Sequence, residues 1–144
     1  MILGIDPGNS TGVAQFEGGQ LVRLDTIPPE RIPAMLRERR PKRVVFEDSR
    51  LQSHTWTRGR TLAAACKMAR NVGEVDAWCK LIVATCAELG IAAHGISPRE
   101  KGAKLDANTF QKVTGWEKGS NEHTRDAALV AWRFRHLTAG SGDA

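Results

Sequence analysis

The sequence has 144 residues, of which 41% are hydrophobic and 26% charged, with a formal net charge of +5. That length suits one compact domain with its own core, and the apolar fraction excludes wholesale disorder. The positive balance favours an anionic partner.

Residues 1–6 form a short apolar run halted by Pro7-Gly8, which predicts a buried strand ending in a turn. The apolar run resumes over 12–17, turns at Gly18-Gly19, and alternates apolar with polar over 20–27, giving a three-stranded antiparallel meander. Pro28-Pro29 opens a helix over about 29–40 with Ile32, Met35 and Leu36 on its buried face, and Pro41 ends it. RVVFE at 43–47 has consecutive β-branched and aromatic residues, the pattern of a strand covered on both faces. A helical pattern rich in Ala, Leu, Met and Cys fills about 55–89, long enough that Asn71-Val72-Gly73 predicts a break, and Gly90 stops it. A strand over 91–96, a basic loop from Ser97-Pro98, a helix over about 106–114 and a last helix over about 121–137 complete the chain. Ala127, Ala128, Val130 and Ala131 are buried positions of that last helix.

A meander followed by alternating strands and helices predicts an α/β domain with a mixed five-stranded sheet and helices on both faces. One domain is expected over 1–138, with a small polar tail at 139–144 that frays. The three cysteines form no Cys-x-x-Cys pair, which argues against a disulfide framework or zinc ribbon; Cys79 and Cys86, seven apart in a helical pattern, are expected as core thiols in a reducing cytoplasm. The N-terminus lacks the pattern of a signal peptide, and no apolar run is long enough to span a bilayer.

Four residues able to ligate a cation fall at element ends. Asp6 closes the first strand, Glu47 closes the strand after the first helix, and His123 and Asp126 project from one side of the last helix. A carboxylate ending an apolar strand is costly when buried and unpaired, and two on neighbouring strands repel. A hard cation relieves both problems, and oxygen-rich sites favour Mg²⁺ or Mn²⁺. Taken singly, each is better explained otherwise: Asp6 as a turn residue, Glu47-Asp48 as a solvated strand exit, His123 and Asp126 as surface or salt-bridge residues.

Their order and context carry the weight. ILGIDPGNSTGVA, VVFED and NEHTRDAALVAW resemble, in sequence, the three acidic motifs of the ribonuclease H-like nucleases, and within them the RuvC-type Holliday-junction resolvases. SPREKGAKLDANTFQKVTGW resembles that family's basic loop and short helix before the last motif. The resemblance implies the ribonuclease H-like fold, a crossover-junction endodeoxyribonuclease dependent on Mg²⁺ (with Mn²⁺ substituting), and Asp6, Glu47, His123 and Asp126 as metal ligands and catalytic residues. It also implies four-way or other branched DNA as substrate and a homodimer, built through the long helix, that places two active sites for paired cuts. The LQSHTWTRGR segment after Glu47 departs from the usual cellular pattern, and the short chain looks like the compact variants of phages, acting in the cytoplasm of a bacterial or phage-infected cell.

Arg58, Arg60, Arg99, Lys101 and Lys104 lie beside these motifs and are expected to contact phosphates, while Trp56 is positioned to stack on an unpaired base or to pack under the long helix. Trp78 and Trp132 fit core or interface positions, and Arg37, Arg39, Arg40, Lys42 and Arg43 are expected as a solvated face. Glu74 and Asp76 stay outside the catalytic set, Glu74 being the nearer recruit. Rival readings are an ATP-binding module built on Asp6-Pro7-Gly8-Asn9-Ser10-Thr11-Gly12, a non-catalytic junction-binding protein, and a nuclease of the same fold acting on RNA or RNA–DNA hybrids.

Overall fold

The computed structural model describes residues 1–52 and 59–137. The expected tail, Trp56 and Arg58 lie outside the described residues. Five strands, β1 (Ile2–Asp6), β2 (Thr11–Glu17), β3 (Gln20–Ile27), β4 (Arg43–Glu47) and β5 (Ala92–Ile96), form one mixed sheet in the order β3-β2-β1-β4-β5. β1, β2 and β3 make the antiparallel meander, while β4 runs parallel to both β1 and β5. The expected fold class is the one observed.

Side chains alternate across the sheet as a period of two requires. Leu3, Ile5, Val44 and Phe46 face α1 (Ile32–Arg39) and α2 (Leu62–Leu89), packing on Ile32, Leu36, Ile82 and Cys86. Ile2, Ala14, Phe16 and Val45 face the other way, with Phe110 of α3 (Ala107–Thr114) and Ala127, Ala128 and Ala131 of α4 (Glu122–Ala131). Both cysteines expected in the core, Cys79 and Cys86, are buried, and Cys66 is exposed.

Local signals set most element ends. Asp106 and Asn121 accept hydrogen bonds from the backbone N–H of Thr109 and Thr124, and Asn121 forms a reciprocal capping box. Gly90 and Gly115 end α2 and α3 in the left-handed conformation.

Three expectations are corrected. The predicted break at Asn71-Val72-Gly73 is absent: α2 runs unbroken for 28 residues, because a lone glycine costs a helix only about 1 kcal/mol and the packing of Val75, Cys79, Ile82 and Cys86 outweighs it. The first helix opens with a 3-10 turn at Pro29–Arg31 before α1. The last helix ends at Ala131, six residues short of the expected bound, and tightens into a 3-10 turn at Trp132–Phe134. There the Trp132 ring lies 6.0 Å from that of Phe16, and Arg135 stacks 3.7 Å above the Trp132 ring while donating to its carbonyl oxygen.

Candidate active site

The alternation that builds the core also builds the site. Gly4 and Asp6 share a face of β1, Val45 and Glu47 share that same face of β4, and Val45 belongs to the cluster packed on α4. Because β1 and β4 are parallel with Ile5 beside Phe46, both carboxylates emerge side by side at the same end of the sheet. Asp126 reaches that end from α4, which lies almost directly on the strands. A Cβ built on Gly12 would meet the His123 carbonyl, and one on Gly4 would meet the Ala127 carbonyl, so only glycine admits the helix this close.

Asp6, Glu47, His123 and Asp126 all line one cavity of about 410 Å³, together with Lys101, Lys104 and Glu122. The structure thus brings together the four residues singled out in the sequence. Asp126 is 5% exposed, while the His123 side chain is 39% exposed at the rim, its Nε2 3.9 Å from Glu122 Oε1.

Lys101 has a different place from the one expected. The sequence puts it among the phosphate-binding residues, yet it is buried in the carboxylate cluster, with Nζ 2.9 Å from Glu47 Oε2 and 3.3 Å from Asp126 Oδ2. Burial alone would lower its pKa, but the hydrogen bond and charge of Glu47, with Asp126 and Asp6, leave it above the ordinary lysine value. Nothing in the local sequence distinguishes Lys101 from the other basic residues of its loop, since its partners come from 25 or more positions away. Lys104 stays 66% exposed, 3.7 Å from Asp126 Oδ2. Arg99 and Arg60 are exposed and do not line the cavity.

One ammonium does not neutralise three carboxylates. Burial pushes the Asp6 carboxyl up to about 7, and the charges of Glu47 and Asp126 push the same way against Lys101. The cluster therefore favours more positive charge than the chain supplies. Among the described residues no three acidic, His or Cys side chains close around an ion as they stand. Mg²⁺ does not need such a cage, because it retains several waters and uses one or two carboxylates. The oxygen-rich donor set and its charge deficit fit a hydrated divalent ion.

Replacing Lys101 by Met is expected to cost about 3 kcal/mol in the presence of chelator, because it leaves Glu47 and Asp126 facing each other without their shared cation. Urea denaturation measures this, and an unchanged midpoint would show that the ammonium is not the counter-charge of the cluster.

The acids flanking the site have structural partners. Asp48 is buried rather than solvated; Arg50 bonds it at 2.8 Å and holds its carboxyl below the usual range. Asp76 accepts from Ser49 Oγ at 2.6 Å, and neither it nor the exposed Glu74 lines the cavity.

A five-stranded mixed sheet in this order, with helices on both faces and carboxylates at adjoining strand ends, is the ribonuclease H-like fold. Among solved structures the chain is similar to RuvC of Thermus thermophilus in complex with a Holliday junction substrate, with TM-score 0.60 and 16% identity over 91% of this chain and 89% of that one. A second structure of Thermus thermophilus RuvC aligns with TM-score 0.57 and 18% identity over 91% and 90% of the two chains. No protein-family model and no curated protein sequence matches the chain.

Proposed function

We propose that this chain is a divalent-metal-dependent endonuclease that hydrolyses phosphodiester bonds in branched DNA, four-way junctions above all. The observation that carries this reading is the convergence of Asp6, Glu47 and Asp126 on one cavity with Lys101 and Lys104 at its wall and rim. Asp6, Glu47 and Asp126, with His123, would hold Mg²⁺ or Mn²⁺, which when bound activates water and stabilises the leaving oxygen. Lys101 keeps Glu47 and Asp126 fixed relative to each other, and His123, half-open to solvent, either ligates the ion or assists proton transfer. Lys104, exposed at the rim, can meet a phosphate oxygen, and the exposed Arg99 and Arg60 are further candidates for phosphate contacts.

Paired cutting calls for a homodimer, and α2 is its expected interface. A helix of 28 residues is about 42 Å long, against about 17 Å for the five-residue strands it crosses. Its buried residues, Ala65 apart, fall between Cys79 and Cys86, while Leu62 is 79% and Val83 39% exposed. Apolar surface left open at that scale fits an isologous helix–helix contact.

The deciding experiment is incubation of the protein with a labelled four-way junction and Mg²⁺ or Mn²⁺, beside fork, duplex and RNA–DNA hybrid. Symmetric paired nicks on the junction are expected. Cleavage of the hybrid alone would reassign the substrate to RNA, and tight junction binding without cleavage in either metal would make the protein a non-catalytic binder.

A further inference from the structure

Arg37 and Arg39 lie in the last turn of α1, Arg40 caps it, Lys42 and Arg43 follow, and the structure divides them. Arg37 lies 3.6 Å from Glu88, and Arg39 lies 2.6 Å from Asp25. Arg40, Lys42 and Arg43 have no ion pair with the described residues, and all three line one concavity of about 630 Å³. An adjoining concavity of about 350 Å³ shares Met1, Ile2 and Leu137 with it and adds Arg135 and His136. Among the described residues neither wall contains a carboxylate.

Two features set this end apart from an ordinary solvated face. Uncompensated cations gathered around a concavity repel one another, whereas on a convex surface they can spread into solvent. Arg40 also stands in the left-handed region, at φ 47° and ψ 56°, where α2 and α3 place Gly90 and Gly115. A non-glycine residue there costs about 1 kcal/mol. Its Nε donates to the Arg37 carbonyl at 3.3 Å, which caps α1, while the residue as a whole stays exposed.

This concavity sits at the start of β1, and the carboxylate cavity sits at its end. Ile2 lines one and Asp6 the other, about 13 Å apart along the strand, on ends of the sheet that face opposite ways. We propose that Arg40, Lys42 and Arg43 bind the phosphodiester backbone of a second DNA segment while the first lies at the carboxylate end. Guanidinium forks match phosphate oxygens in pairs, and an ammonium adds a point charge. Duplex DNA is stiff over about 150 base pairs, so one straight segment does not wrap both ends of so small a domain, whereas a branched molecule or a second duplex reaches both. This rests on the nuclease reading only for the occupant of the carboxylate end.

The test has two arms. In the first, the unmutated chain is acetylated with and without a four-way junction in chelator, and each lysine is read by mass spectrometry. Lys42, exposed in the free protein, is expected to be shielded by the junction. In the second, Lys42→Gln with Arg43→Gln is titrated with the junction across a salt series, with circular dichroism checking the fold. The slope of log affinity against log salt should fall by about 2, near 0.9 for each phosphate that is no longer neutralised. Junction binding with Lys42 fully reactive and an unchanged slope overturns the proposal while leaving the nuclease reading intact. Shielding of Lys42 by a protein that never cuts does the reverse. Absence of any DNA binding overturns both.

Discussion

Asp6→Asn is expected to abolish cleavage while making the metal-free protein more stable than the wild type above pH 7. The two effects share one cause. The folded chain holds the Asp6 carboxyl at about 7, against an ordinary value of 3.8, through burial and then through Glu47 and Asp126. Between those values the folded state binds more protons than the unfolded state, so stability falls as pH rises through the window and the full cost is present above it. A shift of three units corresponds to about 4 kcal/mol, and relaxation around the charge together with solvent screening reduces the expected gain to about 2 kcal/mol. Asparagine keeps the shape without the charge, so its melting temperature at pH 8 should lie about 5 °C above that of the wild type. Near pH 4 the difference should vanish.

Saturating Mg²⁺ should reverse that order, because a ligand present at about 100 times its dissociation constant adds about 2.7 kcal/mol to the chain that binds it. Cleavage should fall by at least about 10²–10³-fold, the loss typical when a group stabilising developing charge is removed. Thermal melts at two pH values with and without Mg²⁺, beside a junction-cutting assay, measure all of this. Full activity in Asp6→Asn would place the chemistry elsewhere. A lower melting temperature at pH 8 would mean that Asp6 is held by attractions stronger than its repulsion from Glu47 and Asp126.

Gly12→Ala is expected to damage fold and site together. A methyl group at Gly12 would fall on the backbone carbonyl of His123 and 3.0 Å from the Thr124 nitrogen, in the first turn of α4. Those atoms belong to a capped helix and cannot yield as a flexible side chain would. Either β2 or the N-terminus of α4 must shift, at a cost on the order of 3–5 kcal/mol, or roughly 10 °C in melting temperature. The shifted turn carries His123, and Asp126 lies one turn further on, so activity measured well below the melting temperature should drop as well. Gly73→Ala supplies the contrast. Nothing lies within 4 Å of a Cβ there, and the position is inside α2, so the same methyl group should stabilise by about 1 kcal/mol. Equal effects at the two glycines would contradict the close approach of α4 to the sheet.

Features fixed by a few neighbouring residues could be read directly from the sequence. The strands appear as apolar runs closed by Pro7-Gly8, Gly18-Gly19 and Pro28-Pro29, and the caps Asp106 and Asn121 sit where they act. The alternation of β1 and β4 carries Asp6 and Glu47 to one face once the strands pair in parallel. What escaped the sequence depends on partners distant in the chain. Lys101 finds Glu47 54 positions away, and its loop mates are chemically indistinguishable from it. The run of basic residues around the end of α1 looked uniform until Asp25 and Glu88 neutralised two of its members and left three around a concavity. The stop of α4 at Ala131 coincides with Trp132 packing near Phe16, a partner on the same face of the sheet but distant in the chain. Periodicity and capping are local, so the sequence by itself determined the elements and the acids at their ends. Charge compensation acts through space, so only the tertiary structure decided which cation enters the acid cluster and which cations have no counter-charge among the described residues.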